Sequence, residues 1–532
     1  MKRGLILPAV AAIVLFPEFS AQARERASAS ADENLVLFSF DDQWLPFRDN
    51  LKITLKRPEK YSGNPVLTHG EGLDSPDGYG VALYGTVLRE NGRFRMWYLA
   101  WPHVNPKYNA ESERPDYYRP IGYAESSDGI HWTKPNLGLV EFRGSKANNI
   151  VRIEPADHPF ARPVDFNAVL YDAEDPDPGR RYKMAYIAYD LKRRFGTTVT
   201  AVSADGLRWK LVNTEPFTRG HFENTGLLRF QGEYYASGQN IYPFGGNLPD
   251  GTPAGRVMTV FRSPDFIKWL PNRVIAFYRD IYQPAPEALG EEVHMGAGLW
   301  NRGNVILGLY GMWHGTTIRQ KPGMRLAGLT IDLGFVISND AIHYREPVPR
   351  FALVQRGSEG AWDSQALLQG NAFYNSDTET YIWYSHWDLD NQFANIPKQV
   401  SSNRQAIGLI KLPRDRFGYL SKTVIGKQTG AGKAFVYDKG SVVSKSIRLN
   451  RPAKLYINAE EVSDAGPLRI DLLNNMDEPL RGYQASVTTS ALRGIVTWTA
   501  GQILPKDQPF RIRVTWPDGA ADPHLYALYI EQ

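Results

Sequence analysis

Ser126-Ser127-Asp128-Gly129-Ile130-His131-Trp132 is the stretch that organises the chain. It recurs as Ser203-Ala204-Asp205-Gly206-Leu207-Arg208-Trp209, Ser263-Pro264-Asp265-Phe266-Ile267-Lys268-Trp269 and Ser338-Asn339-Asp340-Ala341-Ile342-His343-Tyr344. A degenerate fifth copy is Asp415-Arg416-Phe417-Gly418-Tyr419. In every copy an aromatic follows the Asp by four residues, and the Asp positions lie 77, 60, 75 and 75 residues apart. Self-similarity of this kind marks stacked supersecondary units. A turn carboxylate accepts backbone N–H bonds. Each Asp is therefore expected to cap a hairpin, with its aromatic packing between units.

Working outward, a second pattern precedes each copy. Short apolar strands begin at Tyr84, Phe166, Asn224, Gly296 and Gly370. A turn follows each one, and then an aromatic strand: Arg93–Trp101, Arg181–Asp190, Glu233–Tyr242, Asn304–His314 and Thr380–Asp388. These runs are rich in β-branched and aromatic residues and are bounded by Gly, Pro, Asn and Asp, as strands are. With one strand before each Asp turn and one after it, four strands repeat five times. The expected fold is all-β: a five-bladed β-propeller over residues 64–425, entered through residues 24–63. From about Lys433 the repeat gives way to short alternating strands with turn signals about every ten residues, which reads as a C-terminal β-sandwich over residues 430–532.

Composition agrees with a packed β protein. The 532 residues include 13 Trp, 28 Tyr, 24 Phe, 47 Gly and 36 Pro, with 42% hydrophobic and 22% charged, which excludes a disordered chain. Cysteine is absent. That rules out disulfides, Cys-ligated zinc, iron–sulfur clusters and thiol catalysis. The formal charge is only +4 and no Lys/Arg run stands out, so no nucleic-acid partner is expected. Lys2 and Arg3, the apolar stretch Gly4–Phe16 and Ala21-Gln22-Ala23 read as a signal peptide over residues 1–23. The apolar stretch is too short to span a bilayer. The protein is expected to be exported, to a periplasmic or extracellular location, with no membrane span.

Propeller geometry narrows the search for a site. The N-terminal ends of the five inner strands should ring the mouth of a central funnel, at Leu83, Asp165, Glu223, Met295 and Gln369. The Asp turns should lie on the other face. His221, Asn224 and His294 neighbour the mouth positions. Glu71, Asp74 and Asp77 enter blade one, and Trp362 and Asp363 enter blade five. The second strands return to the mouth with Trp101, His103, Trp313, His314, His386, Trp387 and Asp388. Long loops follow, notably Pro102–Pro120 and Leu389–Arg404, and binding usually resides on such loops. Aromatic faces stack on sugar C–H faces, and carboxylates bond hydroxyls and supply acid–base catalysis. A carbohydrate is the expected partner. No residue pattern indicates a metal or cofactor; a structural calcium ion in the funnel is left open.

Asp at the blade-two mouth and Glu at the blade-three mouth resemble the glycoside hydrolase family 32, 43, 68 and 130 group. Phe38–Trp44, Phe94–Tyr98, Tyr123–Val151, Asp415–Ser421 and Leu468–Tyr483 are also similar to a little-characterised bacterial set labelled family 32-like. The resemblance implies a hydrolase in which Asp165 stabilises the transition state or tunes a pKa and Glu223 is the general acid. A blade-one Asp would be nucleophile or base. Leu83 stands at that position here, so the role passes to Asp77, six residues upstream, with Asp74 and Asp363 as alternatives. Residues expected to touch substrate are Trp101, His221, Asn224, His294, Trp313, His314, Asp363, Gln369, His386 and Trp387. A sugar-binding propeller without catalysis, or a family 130-like phosphorylase, fits the same pattern.

Overall fold

The computed structural model describes residues 29–31, 34–72, 74–103, 118–190, 195–212, 222–242, 255–279, 292–314, 329–389, 402–423, 427–430, 433–436 and 439–532. The proposed signal peptide and His221 lie outside them. Regular structure among these residues is almost entirely strand, with single-turn 3-10 helices at Pro159–Ala161 and Pro178–Arg180.

Five antiparallel meanders follow one another along the chain. Blade one holds Gly80–Glu90, Arg93–Trp101 and Ile121–Ser126. Blade two holds Pro163–Tyr171, Tyr182–Asp190, Phe195–Ser203 and Arg208–Leu211. Blade three holds Glu223–Phe230, Glu233–Tyr242, Gly255–Ser263 and Val274–Phe277. Blade four holds Glu292–Asn301, Ile306–His314, Thr330–Ser338 and Ala352–Val354. Blade five is built on Glu379–Trp387 and Ile407–Pro413, with an inner strand split into Ala366–Leu368 and Phe373–Asn375. Its outer edge is Glu59–Lys60, from the far N-terminal side of the ring, so the first and last parts of the propeller close on each other. Inner strands of successive blades touch in turn, and blade five meets blade one through the Thr86–Asn371 bridge.

The Asp turns hold the meanders together. Asp128 Oδ1 accepts the N–H of Ile130 and of His131 at 2.8 Å each. Asp205, Asp265 and Asp340 repeat the pattern at 2.7–2.9 Å. The residue after the Asp takes a left-handed φ in all four, +77° at Gly129, +73° at Gly206, +63° at Phe266 and +62° at Ala341. Only the first two are glycine, and packing gives the reason. A Cβ at Gly129 would lie 2.7 Å from the Trp383 ring, and one at Gly206 2.7 Å from the Trp97 ring. Trp383 and Trp97 also donate to the carbonyls of Gly129 and Gly206 at 2.8 and 2.7 Å, which ties each blade to its neighbour. Blade two carries Ala185 at the position of Trp97, and the space is filled by Phe266 in the same apolar cluster. The fifth copy departs from the expectation. Asp415 is fully buried and paired with Arg302.

The sandwich draws strands from both ends of the chain. Leu35–Phe38 pairs with His524–Glu531, Leu51–Leu55 with Gly418–Lys422, and Phe47–Asp49 with Ser441–Val443. The N-terminal segment is thus built into the sandwich before it reaches the propeller. Strands of three to five residues whose partners lie hundreds of positions away leave no local signature. An aromatic layer joins the two parts. Phe335 of blade four stacks on Phe417 at 5.5 Å, and Phe38 and Phe40 pack beside them. Among the described residues no helix is long and apolar enough to cross a membrane.

Candidate active site

Four inner strands bulge at one level. The pairing register shifts between Ala82 and Thr86, around Asp165, between Asn224 and Gly226, and between His294 and Ala297. Bulges re-aim side chains and are common beside active sites. Here they turn residues at the strand starts toward one another.

Asp165 and Glu223 come together in this way. Arg119 Nη1 donates to Asp165 Oδ2 at 3.0 Å, and the Phe166 N–H donates to Oδ1 at 3.2 Å. Burial pushes the Asp165 pKa up to about 6; Arg119 opposes the rise and the neighbouring Glu223 adds to it. Gln239 fixes Glu223 by donating to Oε2 while its own oxygen accepts the Met295 N–H at 2.9 Å. The buried Tyr84 hydroxyl is held well above its usual range by burial and then by the charges of Asp165 and Glu223, so it stays neutral. It lies 3.5 Å from His294 Nδ1. His294 is fully buried between Trp313 at 5.0 Å and Trp387 at 5.9 Å, and burial, with Arg256 adding, keeps its ring neutral.

Two guanidiniums flank the carboxylates in matching settings. Arg119 lies 3.9 Å over Trp101 and pairs with Asp165; Arg256 lies 4.0 Å over Trp313, with Glu292 at 3.9 Å. Glu292 is itself buried and its pKa is raised by that burial. The site therefore offers a proton-holding carboxyl near neutral pH, an adjacent carboxylate and two cations, the equipment for acid–base cleavage of a polar bond. Among the described residues no group of three or more His, Asp or Glu is placed to hold a metal ion.

No family model matches the chain. Two uncharacterized proteins of Mycobacterium tuberculosis are each 25% identical over 185 residues, 32% of this chain and 47% of theirs. The chain thus spans about half the length of these curated relatives. Among solved structures, a glycosyl hydrolase from Bacteroides ovatus is similar at 12% identity and a TM-score of 0.43, over 67% of this chain and 94% of that one. A β-1,2-mannobiose phosphorylase from Listeria innocua is similar at 14% and 0.41, over 68% and 97%.

Several expected site residues have other duties. Asp77 is 1% exposed, and its carboxylate accepts from Tyr98 Oη at 2.7 Å, Ser75 Oγ at 2.9 Å, the Gly70 N–H at 3.0 Å and Lys134 Nζ at 2.5 Å. Asp363 repeats the arrangement in blade five, with Tyr384 Oη at 2.7 Å and Lys60 Nζ at 2.6 Å. Both are blade locks, each bonded to the Tyr 21 positions on. Trp101 and Trp313 are buried under guanidiniums rather than open to a sugar, whereas Trp387 is partly exposed. Gln369 donates to the His294 and Gly296 carbonyls at 2.9 and 2.8 Å and so braces the blade-four bulge. Asn224 is buried against the Ala185 carbonyl at 3.4 Å. His386 is buried between the Arg404 carbonyl and the Gln365 N–H, its pKa lowered to about 4 by that burial. His314 pairs with Asp332 at 3.2 Å.

Conversely, Tyr84, Arg256, Gln239 and Glu292 were not singled out from sequence. Tyr84 reads as one more strand aromatic. Glu292 sits three positions before the aligned mouth residue, and the bulge that brings it in is invisible in residue spacing.

Two outcomes follow from this geometry. Asp77→Asn should leave kcat and its pH profile unchanged while destabilising the fold by about 2 kcal/mol, because Lys134 loses its buried partner; a denaturant titration with a rate assay checks both. Arg119 lowers the Asp165 pKa, so Arg119→Gln should move the kinetic inflection expected near pH 6 to higher pH. A pH–rate profile with an unmoved inflection would assign it to another group.

Proposed function

We propose that the protein is an exported glycoside hydrolase that cleaves oligo- or polysaccharides with Asp165 and Glu223 as the carboxyl pair. One observation carries this reading: bulged inner strands of consecutive blades bring Asp165 and Glu223 together, where burial, with Glu223 adding, raises the Asp165 pKa. Glycoside cleavage needs one carboxyl group that can hold a proton and a second that is ionised. Glu292 takes the place of Asp77 as the third acidic group. Arg119 and Gln239 orient the pair, and Trp387 supplies the partly exposed aromatic surface for a sugar ring.

A second reading is phosphorolysis. Arg119 and Arg256, both at the mouth, favour it, because guanidiniums bind phosphate oxygens in their fork. Incubating the purified protein with a panel of oligosaccharides, with and without inorganic phosphate, separates the two. Release of free sugar without phosphate is the expected result. Turnover only with phosphate would replace hydrolysis by phosphorolysis, and no turnover across the panel would overturn the enzymatic reading.

A further inference from the structure

The far end of the propeller holds a partly open cavity. A cavity of about 1080 Å³ lies where the inner-strand hairpins face the sandwich, at the opposite end of those strands from Asp165 and Glu223. Its volume is just above the ~300–1,000 Å³ usual for small-molecule sites. Five charged side chains line it: Arg89, Asp172, Glu174, Arg229 and Lys445. Three of these satisfy one another. Arg229 pairs with Glu174 and lies 3.4 Å from Asp172, which also accepts from Tyr234 Oη at 2.5 Å and has Lys183 at 3.7 Å.

Arg89 and Lys445 are different. Neither has a carboxylate within ion-pairing distance among the described residues. Each instead lies on aromatic rings: Arg89 at 5.1 Å from Tyr374 and 5.5 Å from Phe94, Lys445 at 3.6 Å from Trp44. Lys445 is half-buried, and that burial lowers its pKa despite the charge of Asp41. A partly desolvated ammonium with no carboxylate in direct contact is costly. The two cations come from different walls, Arg89 from blade one and Lys445 from the sandwich. A single inorganic ion would not fill a cavity of about 1080 Å³. Tyr171, 37% exposed, adds aromatic surface suited to the C–H face of a sugar.

We propose that this cavity is a second ligand site, separate from the funnel mouth, that binds a carboxylate-bearing oligosaccharide with Arg89 and Lys445 meeting its acid groups. The site rests on its own residues and stands whatever reaction the mouth performs. Calorimetric titration of the full chain with trigalacturonate, maltotriose and sodium sulfate at constant ionic strength tests it. Trigalacturonate should bind at least tenfold more tightly than either control. Arg89→Gln and Lys445→Gln should each weaken that binding tenfold or more, while Glu223→Gln leaves it unchanged. Arg89 is exposed, so its variant keeps the fold, which a matching thermal melt verifies. Absence of trigalacturonate binding, equal binding of maltotriose, or binding matched by sulfate would each overturn the proposal. So would binding that survives both cavity variants but is lost in Glu223→Gln.

Discussion

Glu223→Gln is expected to lower kcat for glycoside cleavage by about 10³-fold or more, with little change in thermal stability, since a positioned general acid or base contributes roughly 10²–10⁴-fold and the pair acts as a unit. The amide matches the carboxylate in shape, and its oxygen can still accept from Gln239. Only the ionisable group is lost. A second consequence fixes the assignment. The Glu223 charge raises the Asp165 pKa, so removing it should bring that pKa down from about 6. Any residual activity should then show its inflection at lower pH, opposite in sign to the Arg119→Gln shift. Stability follows the same linkage. Asp165 binds its proton more tightly folded than unfolded, so its ionisation costs stability as pH rises from the ordinary carboxylate range through 6. Relieving part of that cost should leave Glu223→Gln at least as stable as the parent at pH 7.5. Asp165→Asn should be similarly inactive. Full activity in either variant, measured beside its melting curve, would remove the pair from the mechanism.

The residues that could be read from sequence and those that could not differ in the range of the forces that place them. The Asp turns are local: a carboxylate, its N–H partners and a left-handed residue lie within five positions, so four copies behave as the motif implies. That Asp165 and Glu223 come together follows from equivalent strand starts in consecutive blades sharing a register. The Lys134 pairing of Asp77 could not be read, because a loop acid near a mouth looks alike whether it faces substrate or a partly buried lysine. Its twin Asp363, with the same Tyr spacing, was the available clue. Trp101 and Trp313 illustrate a further limit. An aromatic at the end of a strand suggests a sugar platform, but the guanidiniums that cover them come from just before the third strand of blade one and from the third strand of blade three, the latter reaching another blade.

The same limit applies to Asp415, where the repeat kept its residue and changed its purpose. Arg302 Nη1 and Nη2 reach the Asp415 carboxylate at 2.5 and 3.1 Å, Asn375 Nδ2 donates at 2.9 Å and Tyr529 Oη at 3.0 Å. Arg302 belongs to the blade-four hairpin, Asn375 to blade five and Tyr529 to the sandwich. One carboxylate thus ties two blades to the second domain. Burial by itself would raise its pKa, but the Arg302 charge and hydrogen bonds hold it below the usual value. Asp415→Asn should therefore destabilise the protein by about 3–5 kcal/mol, the cost of leaving a buried guanidinium unpaired. Backbone strain does not contribute, because Asn tolerates the left-handed φ of +60° as well as Asp does. The depressed pKa sets the pH dependence. This stabilisation is present above about pH 4 and disappears as pH falls through the lower folded-state pKa, so the gap between parent and variant in denaturant titrations should narrow in acid. The double variant Arg302→Met, Asp415→Asn should recover much of the loss, since it removes the unpaired guanidinium while Asn keeps the left-handed φ and can still accept from Tyr529. The mouth lies at the other end of the inner strands, so kcat at low temperature should match the parent. An Asp415→Asn protein that unfolds together with the parent at neutral pH would show that this carboxylate does not hold the two domains together.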